Sequence, residues 1–154
     1  MSDIELPDLR GEHLFTAEFN VATPTILENP PQGTRIIAGI DGGSFEGPRL
    51  RGHVAPMPGG DWILIRNDGA WLMDVRLTLV TDDDHHIFMT YRGIRHGNPA
   101  VLDRLAKGEP VDPSEYYFRN TPVFETGSEK YGWLNRIVAV STGHRFPDGP
   151  VYKV

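Results

Sequence analysis

The run Ala70–Thr81 constrains this chain more than any other segment. Read as a strand, it sends Trp71, Met73, Val75, Leu77 and Leu79 to one face. Leu72, Asp74, Arg76, Thr78 and Val80 go to the other. The first face is wholly apolar and must be covered. The second is half apolar, yet it carries an acid and a base two residues apart. It sits inside a meander from Trp62 to Arg95 whose strands look buried on both sides. Charges in such strands are costly unless paired and hydrogen-bonded. Asp74 and Arg76 are therefore expected either to line a polar pocket inside a closed sheet or to knit an interface.

Turn chemistry divides the rest. Met1–Gly11 reads as a flexible lead-in, with a single domain from about residue 13 to 154. His13–Ala22 alternates as a first strand, and the prolines of Thr23–Gly33 argue against regular structure there. Thr34–Ile40 is a β-branched strand, Asp41-Gly42-Gly43 a hairpin signal, and Phe45–Ala55 a strand made irregular by Gly47-Pro48. Asp61–Arg66, Ala70–Thr81 and His85–Arg95 follow, joined by Asn67-Asp68-Gly69 and Asp82-Asp83-Asp84. One helix begins at Asn98-Pro99 and closes at Gly108, with Val101, Leu102, Leu105 and Ala106 as its apolar stripe. Asp112-Pro113-Ser114-Glu115 has the form of a capping box. Strands are expected at Tyr116–Phe124, Tyr131–Ser141 and, short, at Pro150–Val154. Seven to nine sequential strands with one short α-helix point to an all-β fold, a single antiparallel β-barrel of about eight strands. An open two-sheet sandwich is the alternative.

Composition narrows the partners. A chain of 154 residues is long enough for one domain that buries roughly 70% of its unfolded surface. The net charge of −6 argues against nucleic acid and against anionic membranes. There is no cysteine, which removes disulfides, thiolate metal sites and thiol nucleophiles. The first residues lack the pattern of a signal peptide, and no apolar run approaches the ~20 residues that span a bilayer. A cytoplasmic protein is expected.

Four phrases, in order and with compatible spacing, carry a family resemblance. They are Gly42-Gly43-Ser44-Phe45-Glu46-Gly47-Pro48-Arg49-Leu50-Arg51-Gly52, Asp112-Pro113-Ser114-Glu115-Tyr116-Tyr117-Phe118-Arg119, Thr121-Pro122-Val123-Phe124-Glu125-Thr126-Gly127, and Tyr131-Gly132-Trp133-Leu134-Asn135. From about His13 onward the chain resembles domain-of-unknown-function family 3237. The resemblance implies a compact antiparallel β-barrel, often oligomeric, and implies no particular chemistry. Asp84-His85-His86 departs from it, standing where a glycine-containing turn is commoner in that family.

Motifs for common chemistries are missing. Gly42–Gly52 lacks a Gly-Lys-Ser/Thr ending and does not lead into a helix, so it is not a phosphate loop. His85 and His86, adjacent on an extended chain, point apart and make a poor metal pair. No Ser lies in a Gly-x-Ser-x-Gly elbow. What remains is a set of polar and aromatic residues among apolar neighbours, the usual makeup of a small-molecule pocket. Asp74, Arg92 and Tyr131 are the expected catalytic residues, as base, anion binder and hydrogen-bond donor. Arg76, Tyr117, Arg119, Trp133 and Asn135 are the expected substrate contacts. The alternative is that these are structural ion pairs and core aromatics.

Three functions follow. The first is a metal-free, cofactor-independent isomerase, cyclase or lyase for a small, partly aromatic or carbonyl-bearing molecule. The second is a lipocalin-like binder, and the third a structural module whose charges lie in a homo-oligomer interface.

Overall fold

In a computed structural model, which describes residues 6–154, the chain forms ten strands and one α-helix. The strands are β1 (Thr16–Val21), β2 (Thr25–Leu27), β3 (Thr34–Glu46), β4 (Arg51–Val54), β5 (Gly60–Ile65), β6 (Trp71–Thr81), β7 (His86–Gly97), β8 (Tyr116–Glu125), β9 (Ser141–Phe146) and β10 (Gly149–Lys153). Helix α1 spans Pro99–Ala106. All pairings are antiparallel and run β1-β10-β9-β8-β7-β6, then through β4 and β5 to β3, which pairs back to β1. The result is a closed eight-stranded barrel with two extra strands, as the sequence leads one to expect.

Two of the sequence expectations fuse and one dissolves. Thr34–Ile40 and the start of Phe45–Ala55 are one strand, β3, because Asp41-Gly42-Gly43 bends the chain without reversing it. Gly42 and Gly43 have φ of 122° and 139°, and a Cβ on Gly43 would lie 2.1 Å from the Glu18 carbonyl oxygen. Only glycine lets β1 approach β3 this closely. β4 and β5 then share one lane of the barrel, β4 against one end of β3 and β5 against the other. Thr25–Leu27 forms a short strand on β3 despite the neighbouring prolines, since Pro24 and Pro30 flank the pairing residues.

Tyr131–Ser141 is not a strand. Gly132–Arg136 is a 3₁₀ turn, and β9 starts only at Ser141. Asn135 pins this turn by accepting from the Thr126 N–H and donating to the Thr126 carbonyl, both at 2.9 Å. Of the lead-in Met1–Gly11, residues 1–5 lie outside the described residues, and Leu6–Gly11 has no regular structure.

The helix and the capping box form as expected. Asn98 accepts from the Ala100 N–H at 3.0 Å, and Gly108 follows the helix with φ of 72°. Asp112 accepts from Ser114 while Glu115 reaches back to the Asp112 N–H. Among the described residues, no helix is long and apolar enough to cross a membrane.

The barrel interior has two halves. At one end Phe15, Phe45 and Phe124 meet edge to face, with centroids 5.5 and 6.0 Å apart, and Leu77, Leu79, Ile87, Met89 and Leu134 fill the space around them. The other end is hollow.

Candidate functional site

The hollow end is a cavity of about 730 Å³, with the turn at Phe146-Pro147, residues Ala22–Pro24 and the C-terminal end of α1 among its lining. Most of its wall is apolar, including Phe19, Ile36, Met73 and Phe118. The polar side chains within it are few: Asp61 from β5, Tyr91 and Arg95 from β7, Arg145 from β9 and Tyr152 from β10, joined by the exposed Thr23, Lys107 and Glu109. Such a mixture, apolar walls with a few convergent polar groups, is what binds and orients small molecules.

Strand phase puts each group there. On β7 the inward series Ile87, Met89, Tyr91 continues through Gly93 to Arg95. On β5 Asp61 and Ile63 share the inward face, while Trp62 points out under the Arg76 guanidinium. Asp61 is also held by an opening in the β5–β6 ladder, where its Oδ1 accepts the Asp74 backbone N–H at 3.0 Å.

Burial sets the electrostatics. Desolvation pushes the Asp61 carboxyl up to about 7, although the Asp74 N–H and the Arg95 guanidinium both oppose the rise. Burial raises the Tyr91 and Tyr152 phenols above their ordinary range, with Asp61 adding to it, so both stay protonated. Their rings lie 5.6 Å apart. Arg95 stacks over Trp71 at 4.0 Å, and burial lowers its pKa. Arg95 Nε and Arg145 Nη1 are buried without a hydrogen-bond partner. Beside the cavity, the Tyr116 hydroxyl lies 2.7 Å from His144 Nδ1 and accepts from the Arg145 N–H at 3.1 Å. Burial lowers the His144 pKa, in keeping with a neutral ring that accepts from Tyr116.

None of the eight residues expected from sequence to form the pocket lines this cavity. Asp74, Arg76 and Arg92 do come together, with Asp74 3.4 Å from Arg76 and 3.3 Å from Arg92, but on the outer face of β6 and β7. Arg119 and Tyr117 share the outer face of β8. Arg119 bonds the Phe118 carbonyl, and Tyr117 stacks on His96 at 5.0 Å. Tyr131, Trp133 and Asn135 belong to the 3₁₀ turn at the other end of the barrel. There Tyr131 donates to Asp83 at 2.9 Å, Trp133 lies 3.7 Å under Arg49, and Asn135 holds Thr126. Asp74, Arg76 and Arg92 do share a face, and that face is the outside; Tyr131, Trp133 and Asn135 share no strand face, because their segment is a turn. The inward phase of β7, from Met89 and Tyr91 to Arg95, was the signal that leads to the cavity.

Comparison with known proteins agrees with this architecture. A UPF0311 protein of Rhodopseudomonas palustris is 34% identical over 148 residues, covering 96% of both chains. Its crystal structure superposes with a TM-score of 0.90, covering 96% of this chain and 97% of that one. A β-barrel-like protein of Acinetobacter baumannii is 37% identical with a TM-score of 0.84, covering 97% and 96%. An enzyme from Penicillium herquei shares the fold at 21% identity and a TM-score of 0.67, covering 96% and 98%. The match to the family described as "Protein of unknown function (DUF3237)" runs over residues 9–154, and the chain belongs to that family.

Proposed function

We propose that the cavity takes up a small, partly aromatic or carbonyl-bearing molecule and moves a proton on it without a cofactor, in an isomerisation, cyclisation or elimination. The observation that carries this is Asp61, a carboxyl pushed up to about 7 in a cavity it shares with two arginines. A base poised near neutrality is both sufficiently ionised to accept a proton and sufficiently basic to hold it. Ionised Asp61 takes a proton from carbon beside a carbonyl, and the C–H electron pair moves onto the carbonyl oxygen. The Tyr91 and Tyr152 hydroxyls, lining the same space and held protonated by burial, stabilise the developing enolate. Asp61 then returns the proton to a second carbon, so that no atom or electron is gained or lost. The Penicillium herquei enzyme indicates that this fold admits catalysis and nothing of the reaction here.

The test uses 2-tetralone, an aromatic ketone with acidic C–H bonds, in deuterium oxide. The protein is expected to accelerate deuterium incorporation, read by proton NMR, with a rate that rises through a midpoint near 7. Asp61→Asn should slow it by about 10²-fold or more. Binding of the ketone without exchange, or exchange that survives the substitution, overturns the proposal in favour of a carrier.

A further inference from the structure

On the outside Arg51, Arg66, Arg76, Arg92 and Arg104 each stand within 4.0 Å of a carboxylate, and Arg35 and Arg119 donate to the Trp62 and Phe118 carbonyls. In the cavity neither Arg95 nor Arg145 has a carboxylate within that distance, among the described residues, and each keeps one buried N–H donor unpartnered. A guanidinium with an unpartnered donor in an apolar enclosure loses hydration that stacking on an aromatic ring replaces only in part. Asp61 is the carboxyl enclosed in the same cavity, and near neutrality it is only partly ionised; Glu109 and Lys107 also border the space but are exposed, and Glu109 stands 3.8 Å from Arg104. Inside, two permanent cations thus face at most one enclosed anion.

We infer that the molecule held here is an organic monoanion, an aromatic carboxylate whose carboxylate group sits between Arg95 and Arg145. The inference rests on the cavity being the ligand site and deepens the proposal above. Two donors from two guanidinium groups match the two oxygens of one carboxylate. Trp71, already stacked on Arg95, with Phe19 and Phe118 gives a flat apolar body its wall. A phosphate or sulfate dianion fits worse. It has no apolar body to bury, and its second charge would meet Asp61.

The experiment compares 2-naphthoate with its neutral isostere 2-naphthamide by titration calorimetry at pH 7. Wild-type protein should bind the carboxylate about 30-fold or more tightly than the amide. Arg95→Met and Arg145→Gln should each weaken naphthoate by about tenfold or more, leaving the amide within about threefold. Asp61→Asn should bind naphthoate as well as wild type or better, because it removes a competing negative charge. Equal binding of acid and amide, or no binding of naphthoate, overturns the inference. Should an arginine variant fail to fold by circular dichroism, the wild-type comparison alone still decides. The two proposals fail separately. Loss of charge preference leaves the Asp61-dependent exchange standing, and absence of exchange leaves arginine-dependent naphthoate binding standing.

Discussion

Asp61 is a carboxyl that the fold makes weakly acidic, and stability records this as well as chemistry. Its ordinary value is 3.8 and its folded value about 7. Between these, the native protein holds a proton that the unfolded chain has already released, so stability falls as pH climbs through this window and levels off above it. The rise from 3.8 to about 7 corresponds to on the order of 4 kcal/mol at most. Asp61→Asn keeps an oxygen for the Asp74 N–H and removes the charge. Urea denaturation should find it more stable than wild type at pH 8, by up to a few kcal/mol, and indistinguishable near pH 4. A second residue-scale test concerns Gly93, where a Cβ would lie 1.8 Å from the Asn120 side-chain oxygen. Gly93→Ala should cost about 2–4 kcal/mol by the same measurement. In the sequence Asp74 looks buried, because it is an acid among apolar neighbours. Leu72 and Val80 on its face are covered enough to preserve that look, while Asp74 itself reaches two exposed arginines. Asp61 opens the expected strand Asp61–Arg66, and nothing in the local pattern says that its side, and not that of Trp62, faces the interior.

At the scale of elements, periodicity and caps were legible, and everything that depends on a distant partner was not. The alternation of β6, the ends of α1 and the Asp112 capping box are local, and sequence shows them directly. Asp41-Gly42-Gly43 looks like a hairpin because the same residues serve both a reversal and a bulge. Only the proximity of β1 distinguishes the two. Gly43→Ala, at φ of 139° and against the Glu18 carbonyl, should lower the guanidinium midpoint by the equivalent of about 2–4 kcal/mol. Tyr131–Ser141 has the alternation of a strand, yet the Asn135 side chain is claimed by the Thr126 backbone and the Tyr131 hydroxyl by Asp83. Long-range side-chain bonds of this kind leave no trace in a local pattern.

At the scale of the whole molecule, the barrel divides its interior between stability and function. Phe45 sits in the filled end, and Phe45→Ala should cost about 3–5 kcal/mol, since the hole it leaves is enclosed. Phe19 borders the cavity, so Phe19→Ala enlarges a space that already exists and should cost less, by about 1–2 kcal/mol. Thermal denaturation of the two variants side by side checks the difference. The barrel's closing seam lies where β1 meets β10, with Thr16 opposite Lys153. Two neighbours in space are therefore almost the whole length of the chain apart in synthesis. While a ribosome is still making β10, β1 has an exposed edge, and the earlier strands can pair but cannot shut. Completion of the final hairpin is the event that turns a sticky, curved ribbon into a vessel.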